Sequence, residues 1–216
     1  MRKSGMTAIN MRHALLAAVF ALLPALLAAY SASGPEIKDD SGKAVRMAGI
    51  NAPDLIKLGD SEITALFEKA SKAGIKYARF LASFSGEGEY SLQPRPGKYN
   101  EAMMKKLDFI LDAASKTGIK LTVALGDGSG KNGGKEVYAS WNGGSNSDVF
   151  FKDRLSVSQY KEFIREIVTR KNTFNLSVYS ADDTVFSWDI CNECRNDNDP
   201  DSSIMYGWIS EITAYI

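Results

Sequence analysis

The sequence predicts an α/β fold that is built from four strand–helix units with parallel strands. Short apolar strands alternate with amphipathic helices, and residues 119–125 form the nearly unbroken apolar run typical of a strand buried on both faces. The joint ASKAGIK at residues 70–76 recurs as ASKTGIK at residues 114–120. Helices between every pair of successive strands imply parallel strands with right-handed crossovers.

The first unit begins with a predicted strand over residues 45–50. A helix follows over residues 61–73, because Asp60 or Ser61 can cap its start and Gly74 can end it in a left-handed turn. The apolar residues of this helix recur at helical spacing, which puts one face against the sheet. They are Ile63, Leu66, Phe67, Ala70 and Ala73.

The second unit has a strand over residues 75–81 and a helix that Asn100 caps and Gly118 ends. The third pairs the apolar run described above with a helix over residues 157–170, and the fourth has a strand over residues 184–190 and a last helix. The inward-facing residues of these helices are Met103, Leu107, Ile110, Leu111 and Ala114, then Val157, Tyr160, Ile164, Ile167 and Val168, and finally Ile204, Trp208, Ile212 and Tyr215.

Four parallel units fit two architectures. One is a doubly wound open sheet, and the other is half of a (β/α)8 barrel, which normally takes about 250 residues. Composition does not decide between them. In both folds the chemistry lies in the loops at the carboxyl ends of the strands, so these loops carry the functional signal.

Composition excludes several functional classes. The chain has 26 basic and 26 acidic residues, and Arg2, Lys3 and Arg12 belong to its first segment. The rest, with 23 basic and 26 acidic residues, has a net charge of −3. This argues against nucleic acid as a partner, because phosphate binding needs a clustered cationic surface. The one histidine is His13, so the body lacks a Ser-His-Asp triad, a His-ligated zinc site and a histidine base.

Residues 1–33 have the order of a secretory signal peptide, with a basic start, an uncharged stretch at residues 14–29 and small residues after it. A bilayer-spanning helix needs about 20 apolar residues, and this stretch is shorter. We therefore expect a secreted protein that is cleaved near residues 31–33 and has no membrane association afterwards. Its domain then covers residues 34–216. A retained N-terminal anchor is the alternative.

Two sequence motifs suggest ligand binding, but the residues around them argue against it. Residues 128–133 match the dinucleotide pattern G-x-G-x-x-G, but no crossover helix is predicted to begin at this loop, as pyrophosphate binding requires. The acidic run at residues 197–201 lacks the glycine and glutamate of a calcium loop, because Ser202 and Trp208 occupy those positions. We interpret this run as a solvated helix start.

Cys191 and Cys194 form a C-x-x-C pair. Two cysteines are too few for a tetrahedral zinc site. A thioredoxin-like redox site normally lies at a helix start after the first strand of its fold. A local disulfide in an exported protein and a pair of small buried thiols both stay open at this point.

The strand over residues 184–190 delivers Asn192 and Glu193 to its carboxyl end. A glutamate that burial keeps protonated can donate a proton to a leaving oxygen, and the neighbouring amide can hydrogen-bond a substrate hydroxyl. Trp141 and Trp188 can stack on sugar rings. These residues are the candidate catalytic and substrate-binding groups.

Glu193 also has a purely structural alternative. In that alternative its carboxylate only forms an ion pair at the rim with a basic residue such as Arg195 or Arg79. Position in the sequence by itself does not separate this alternative from the catalytic role.

A set of short segments stands in the order and spacing of one known family. The segments are Gly49-Ile50-Asn51, Ala78-Arg79-Phe80, Leu92-Gln93, Pro96-Gly97-Lys98-Tyr99-Asn100-Glu101, Leu107-Asp108-Phe109, Gly118-Ile119-Lys120-Leu121, Gly133-Gly134-Lys135, Arg170-Lys171-Asn172-Thr173, Val178-Tyr179, Asp182-Asp183, Trp188, Asn192-Glu193-x-Arg195 and Trp208-Ile209-x-Glu211. With this set, residues 79–216 resemble the endo-β-1,4-mannanases of plants and fungi in glycoside hydrolase family 5.

The resemblance implies a (β/α)8 TIM barrel, of which this chain would supply the first four units, and retaining hydrolysis of β-mannan by two glutamates about 5–5.5 Å apart. It makes Glu193 the general acid/base, at the end of the fourth strand. Asn192 would hold the 2-hydroxyl of the sugar being cleaved, and Arg79 would position the nucleophilic carboxylate. Arg195 would contact sugar on the leaving-group side. No metal or cofactor is implied.

The chain also departs from the family pattern. The family's nucleophile follows the seventh strand, so no residue here is assigned that role, and we expect the 216-residue chain to be inactive by itself. Cys194 replaces the proline of Asn-Glu-Pro, and residues 126–129 replace an Asn-Asn-aromatic segment that provides a stacking platform. The edge strands of half a barrel also lead us to expect poor solubility, partial disorder or pairing with a second copy.

Three functional hypotheses follow from the sequence. The first is the amino-terminal half of an exported β-mannan hydrolase, or of another family 5 β-glycanase such as a cellulase. The second is a catalytically incomplete, carbohydrate-binding relative of the barrel. The third is an oxidoreductase that uses Cys191 and Cys194.

Overall fold

The structure is a computed structural model, which describes residues 31–39 and 41–216. The chain divides after Arg46 into two compact units. The described part of the first unit is a hairpin, in which β1 (Ser31–Ser33) pairs antiparallel with β2 (Glu36–Lys38).

The predicted leader, residues 1–33, lies outside the described residues except for its last three, which form β1. Signal-peptide cleavage therefore stays a prediction. None of the helices within residues 31–39 and 41–216 combines the length and the apolar character that crossing a bilayer requires.

The second unit alternates strands and helices. In chain order its elements are β3 (Gly49–Asn51), α1 (Asp60–Lys72), β4 (Tyr77–Leu81), α2 (Glu101–Thr117), β5 (Lys120–Ala124), α3 (Lys135–Trp141), α4 (Arg154–Val168), β6 (Val185–Asp189) and α5 (Ser203–Thr213). Short 3-10 helices at Leu55–Lys57, Ser147–Phe151 and Tyr179–Ala181 lie in the loops between them.

The strands of this unit form one parallel sheet in the order β3-β4-β5-β6, which confirms the predicted topology. The register aligns Asn51 of β3 with Arg79 of β4, and Arg79 with Thr122 of β5. Because parallel strands end at the same edge, the loops after all four strands meet there. The first strand is shorter than predicted, since β3 begins at Gly49 and the unit boundary falls within residues 45–50.

The two repeated joints adopt the same conformation. Gly74 and Gly118 have φ angles of +80° and +70°, in the left-handed region that glycine adopts without steric cost. In each joint the isoleucine after the glycine donates its N–H to the carbonyl of the first alanine, over 3.0 and 2.9 Å. The sequence repeat therefore marks a structural repeat, in which a helix ends and a strand begins.

Helix starts follow local hydrogen bonds, and two differ from prediction. Asn100 caps α2 as predicted, because its side chain accepts the N–H groups of the second and third helical residues. The cap of α1 is Gly59 rather than Asp60 or Ser61, and its N–H donates to Glu62 over 2.7 Å. α4 begins earlier than residue 157, because Asp153 accepts the N–H of Ser156 over 2.7 Å.

α3 corrects the sequence analysis, which predicts no helix between residues 134 and 142. Its seven residues are too few for a stable isolated helix, so tertiary contacts must hold it. Tyr138 is buried and donates its hydroxyl hydrogen to Oε1 of Gln93 over 2.6 Å. Its ring also lies among those of Phe150 and Tyr160.

Most predicted inward-facing residues are buried, four are half-buried and two are exposed. Ala73 follows the last residue of α1 and is exposed, and Tyr215 lies beyond α5 with 39% of its surface exposed. The Tyr215 ring lies under Nζ of Lys161, at 5.3 Å from the ring centroid. Both exceptions arise because the helix ends before the residue that the periodicity includes.

The sheet has one covered face and one half-open face. In β4, Ala78 and Phe80 are buried whereas Tyr77 and Arg79 are half-buried, and β5 shows the same alternation. The buried side chains join the helices in one hydrophobic core. The half-open face carries Arg79 and leads to the carboxyl edge, where the candidate site lies.

Candidate functional site

The centre of the site is an arginine that joins two strands at the carboxyl edge. Arg79 of β4 donates through Nε and Nη2 to Oδ2 of Asp189, the last residue of β6, over 3.0 and 2.5 Å. Nη2 also donates to Oδ1 of Asn192 over 3.0 Å, and Nη1 lies 3.4 Å from Oδ1 of Asn51. The ion pair is half-buried, with 29% and 27% of the two side chains exposed.

Asn192 is held from both ends of its amide. Its oxygen accepts from Arg79, and its Nδ2 donates to Oδ1 of Asp127 over 3.0 Å. Asp127 is fully buried, and its Oδ2 accepts from the hydroxyl of Ser129 over 2.8 Å. The amide orientation is thus determined by partners on β4 and in the loop after β5.

Glu193 differs from its neighbours because its side chain is exposed. Within the described part of the chain its carboxylate forms no hydrogen bond or ion pair. The structural alternative is therefore wrong, since Arg79 pairs with Asp189 and Arg195 lies 3.5 Å from Asp197. The burial that a protonated glutamate requires is not supplied by these residues either. Glu193 also has a φ of +52°, which is uncommon for a residue other than glycine.

A groove of about 290 Å³ runs past these residues. Glu193, Asn192 and Arg79 line it, together with Asn51, Pro53, Asp54, Lys57, Leu81, Ser129, Lys131 and Asn132. A larger recess of about 380 Å³ lies at Phe151, α4 and Glu211, away from the carboxyl edge. The smaller groove is the candidate site because amide, carboxylate and guanidinium groups from three strand ends converge on it.

The structure does not bring all the predicted residues together. Trp141 lies on α3, where its ring contacts that of Tyr138 edge-on at 5.0 Å, and it does not line the groove. Arg195 is exposed and also lies outside the lining. Trp188 packs against the core. Sugar contacts by Trp141 and Arg195 therefore stay predictions.

Cys191 and Cys194 are joined in a disulfide, with 5.6 Å between their Cα atoms. This decides between the two open alternatives of the sequence analysis. The bond lies in the loop between β6 and α5 rather than at a helix start, so the placement typical of a thioredoxin-like site is not found.

Two glycines in the loop after β5, one of them in the G-x-G-x-x-G segment, allow two loops to pack closely. A Cβ at Gly128 would lie 2.7 Å from the Cα of Cys194 and 2.7 Å from the carbonyl oxygen of Glu193. A Cβ at Gly126 would lie 2.8 Å from the carbonyl oxygen of Ile190. Glycine at both positions thus allows contact between the loops after β5 and β6, which explains Gly126 and Gly128 without a phosphate ligand.

The acidic run before α5 has the local role that the sequence suggests, with one difference. Asp199 accepts the N–H of Met205 over 2.8 Å, and Asp201 accepts that of Ser203 over 3.1 Å. Asp199 is buried, so the run is only partly solvated. Within residues 31–39 and 41–216, no group of three acidic, histidine or cysteine side chains is arranged to hold a metal ion.

Three further residues of the site, Asp189, Asp127 and Asn51, are not identified from the sequence. Each lies at or just after the end of a strand, as Asn192 does. A polar residue at or just after the carboxyl end of β3, β5 and β6 is the signal that could have identified them. Their partners are far away in sequence, so the pairing itself has no local signature.

The chain is similar to one known family and to several plant proteins. A family model described as "GH family 5 beta-mannosidase-like" matches residues 52–216. A mannan endo-1,4-beta-mannosidase 3 of Oryza sativa subsp. japonica is 33% identical over 193 residues, which cover 85% of this chain and 41% of that protein. A mannan endo-1,4-beta-mannosidase 7 of Arabidopsis thaliana is 36% identical over 161 residues, covering 72% of this chain and 37% of that protein.

Solved structures agree with this result. The endo-1,4-beta-mannanase of Rhizomucor miehei has a TM-score of 0.81 at 25% identity, with coverage of 87% of this chain and 57% of that chain. The endo-beta-1,4-mannanase of Thermotoga petrophila has a TM-score of 0.76 at 25% identity, with coverage of 81% and 40%.

These comparisons decide the architecture that the sequence left open. The chain spans about two fifths of the length of the plant relatives that it matches. Together with the parallel four-stranded sheet, the structural likeness confirms the predicted first four units of a (β/α)8 barrel over a doubly wound sheet. The chain belongs to the beta-mannosidase-like proteins of glycoside hydrolase family 5.

Proposed function

We propose that this chain supplies the acid/base half of a secreted endo-β-1,4-mannanase, which hydrolyses β-mannan with retention of anomeric configuration. The observation that carries the proposal is the convergence of Arg79, Asn192 and Glu193 on one groove at the carboxyl edge of the sheet. Chemistry in parallel α/β folds occurs at this edge. The relatives named as mannan endo-1,4-beta-mannosidases supply the substrate class.

In the proposed mechanism Glu193 acts twice. As an acid it protonates the glycosidic oxygen while a second carboxylate attacks the anomeric carbon, so that the glycosidic bond breaks and a glycosyl ester forms. As a base it then takes a proton from water, whose oxygen attacks the same carbon and releases the carboxylate. We propose that the second carboxylate comes from sequence outside these 216 residues. That part of the barrel would also bury Glu193.

The remaining groups orient the sugar. One N–H of the Asn192 amide is used by Asp127, and the other is available to the 2-hydroxyl of the sugar being cleaved. Arg79 holds the oxygen of the same amide and would position the nucleophilic carboxylate. On the leaving-group side we propose a sugar contact by Arg195. Stacking by Trp141 would need a sugar that extends beyond the groove lining.

The test uses the full-length protein in which these residues occur in nature, called the natural polypeptide below. Glu193→Gln should lower cleavage of mannohexaose by about 10²- to 10⁴-fold, the range that general acid–base catalysis contributes. Glu68→Gln on α1 is the matched control, because its partly exposed carboxylate is 3.8 Å from Lys72 and away from the groove. Product anomers are followed by proton NMR. Full activity of Glu193→Gln would remove Glu193 from the mechanism, and inverted products would exclude retention.

A second candidate function is carbohydrate binding without turnover. The exposed, unpartnered carboxylate of Glu193 favours it, because catalysis requires an environment that the described residues do not supply. The same oligosaccharide distinguishes the two. Binding of mannohexaose without any release of shorter products by the natural polypeptide would support this candidate against the mannanase.

A further inference from the structure

The two residues assigned to chemistry are enclosed between the two cysteines. The disulfide from Cys191 to Cys194 closes a ring around Asn192 and Glu193. Because the ring is short, the bond removes little entropy from the unfolded chain compared with disulfides that close long loops. Its effect should therefore be local, on the conformation of this turn.

The turn needs an outside constraint. Glu193 has a φ of +52°, a conformation that residues with a Cβ adopt at a cost. Its carboxylate forms no hydrogen bond or ion pair within the described residues, so among them only the backbone of the turn fixes the point from which the side chain extends. Asn192, in contrast, is held by its amide contacts with Arg79 and Asp127.

The loop after β5 packs against the same turn. Gly128 donates its N–H to the carbonyl of Asn192 over 2.8 Å, and Asn192 donates its own N–H to Gly126 over 2.9 Å. At both glycines a Cβ would lie within about 3 Å of this turn, at Cys194 or at Cys191 Sγ. The disulfide therefore lies inside a packed contact between two loops.

A buried tyrosine supports the start of the turn. Tyr160 donates its hydroxyl hydrogen to the carbonyl of Ile190 over 2.5 Å. Burial and the charge of Asp189 raise the pKa of Tyr160 above its usual value, so this donor stays protonated. The bond from Tyr160 fixes the backbone at Ile190, so the segment from Cys191 to Cys194 is the part of the turn that remains to be fixed. The disulfide joins the two ends of that segment.

We propose that Cys191 and Cys194 are positioning residues, whose disulfide holds the Asn192–Glu193 turn in the conformation that aims the Glu193 carboxylate along the groove. The expected effect on catalysis rests on the proposed function, in which Glu193 is the acid/base. The expected effect on the conformation of the turn does not depend on that function. Opening the bond should free the turn while the sheet stays folded.

The structural test is hydrogen exchange on the 216-residue chain. Its only cysteines are Cys191 and Cys194, so dithiothreitol acts on one bond, transferring two electrons and two protons to give two thiols. The N–H groups of Asn192 and Gly128 should exchange about tenfold faster after reduction. The control is Leu121, whose N–H donates to Thr184 over 2.7 Å and should keep its protection.

Two results would overturn the proposal. Equal exchange at Asn192 and Gly128 before and after reduction would mean that the other contacts hold the turn without the bond. An equal loss of protection at Leu121 would mean that the disulfide stabilises the whole sheet rather than this turn.

The catalytic test uses Cys191→Ser/Cys194→Ser in the natural polypeptide. Mannohexaose needs protonation of its leaving oxygen, whereas a dinitrophenyl β-mannoside does not, because its leaving group departs as a stable anion. Misplacement of the acid should lower kcat/KM for mannohexaose by about tenfold or more and change that for the activated substrate by less than about twofold. Equal losses on both substrates would contradict positioning of Glu193. Absence of cleavage by the unaltered polypeptide would refute the proposed function and leave the exchange result to decide the positioning.

Discussion

Nη2 of Arg79 lies 3.0 Å from Oδ1 of Asn192, although 113 residues separate the two in sequence. The same guanidinium pairs with Asp189, so one side chain connects β4 with the end of β6 and with the loop that follows. This bridge determines the orientation of the Asn192 amide, whose nitrogen faces Asp127. The geometry of the candidate site is therefore built around an arginine rather than around the glutamate.

Replacement of Arg79 by lysine should show how much the planar guanidinium matters. A lysine ammonium is a single point of charge and does not reproduce the paired contacts to Asp189 and Asn192. We expect Arg79→Lys to lower the free energy of unfolding by about 1–2 kcal/mol. Urea denaturation measures this loss, and the NMR signals of the Asn192 side-chain amide should shift. Arg95→Lys is the control.

That control removes an exposed pair. Arg95 and Glu87 lie 3.0 Å apart with 74% and 73% of their side chains exposed, and such pairs contribute less than about 1 kcal/mol. A loss in Arg95→Lys as large as in Arg79→Lys would contradict a special role for the guanidinium of Arg79.

Addition of one methyl group at Gly128 should disturb the site. The new Cβ would lie 2.7 Å from backbone atoms of Glu193 and Cys194, which cannot move as a flexible side chain would. We expect Gly128→Ala to lower the free energy of unfolding by about 1–3 kcal/mol. The matched control is Gly207→Ala in α5, where no atom lies within 4 Å of the new Cβ. This variant should be more stable by about 0.5–1 kcal/mol, and equal effects of the two substitutions would refute the clash.

A buried carboxylate away from the site should make the free energy of unfolding fall at acid pH. Asp108 of α2 is fully buried, and it accepts hydrogen bonds from Arg170 and from the hydroxyl of Tyr179, each over 2.7 Å. Burial acts to raise the pKa of Asp108, but the bonds from Arg170, Tyr179 and Thr173 outweigh it and hold the pKa below 3.8. The ionised carboxylate therefore stabilises the fold above about pH 4. That stabilisation is lost as the pH falls through the lowered value.

The variant Asp108→Asn tests whether the ionised carboxylate of Asp108 stabilises the fold. At pH 7 it should lose about 3–5 kcal/mol, because it leaves the Arg170 guanidinium without its buried partner. The difference in stability from the unaltered chain should shrink as the pH falls below about 4, because the carboxylate of the unaltered chain is then progressively protonated. Urea denaturation at pH 7, 5 and 3 measures the difference, with Glu87→Gln as an exposed control. A difference in the free energy of unfolding that stays constant from pH 7 to pH 3 would refute the stabilising role of the ionised Asp108 carboxylate.

The open sides of the sheet should make the isolated chain associate. Within the described residues β3 and β6 are the edges of the sheet, and all five residues of β6 are only half-buried. Unpaired strand edges and an uncovered face favour pairing between copies. We expect sedimentation velocity to show species larger than a monomer, in proportions that rise with concentration. A single monomeric species that unfolds cooperatively would contradict this expectation.

Local chemistry explains why much of the fold could be predicted. Asn100 and Gly118 act through bonds to residues a few positions away, so their roles are visible in the sequence. The α3 helix escaped prediction because it depends on Tyr138, which packs against residues from other parts of the chain. The edge that carries Glu193 was predicted from strand order, but its exposure was not.

The sequence alone determined where strands and helices alternate, because each cap, left-handed glycine and apolar period acts over a few residues. It also located Asn192 and Glu193 just after the end of the fourth strand and Arg79 within the second. Only the tertiary structure decided that Arg79 pairs with Asp189, that Glu193 has no partner within the described residues, and that Cys191 joins Cys194. Side-chain partners depend on how strands distant in sequence pack together, and no local pattern encodes that choice.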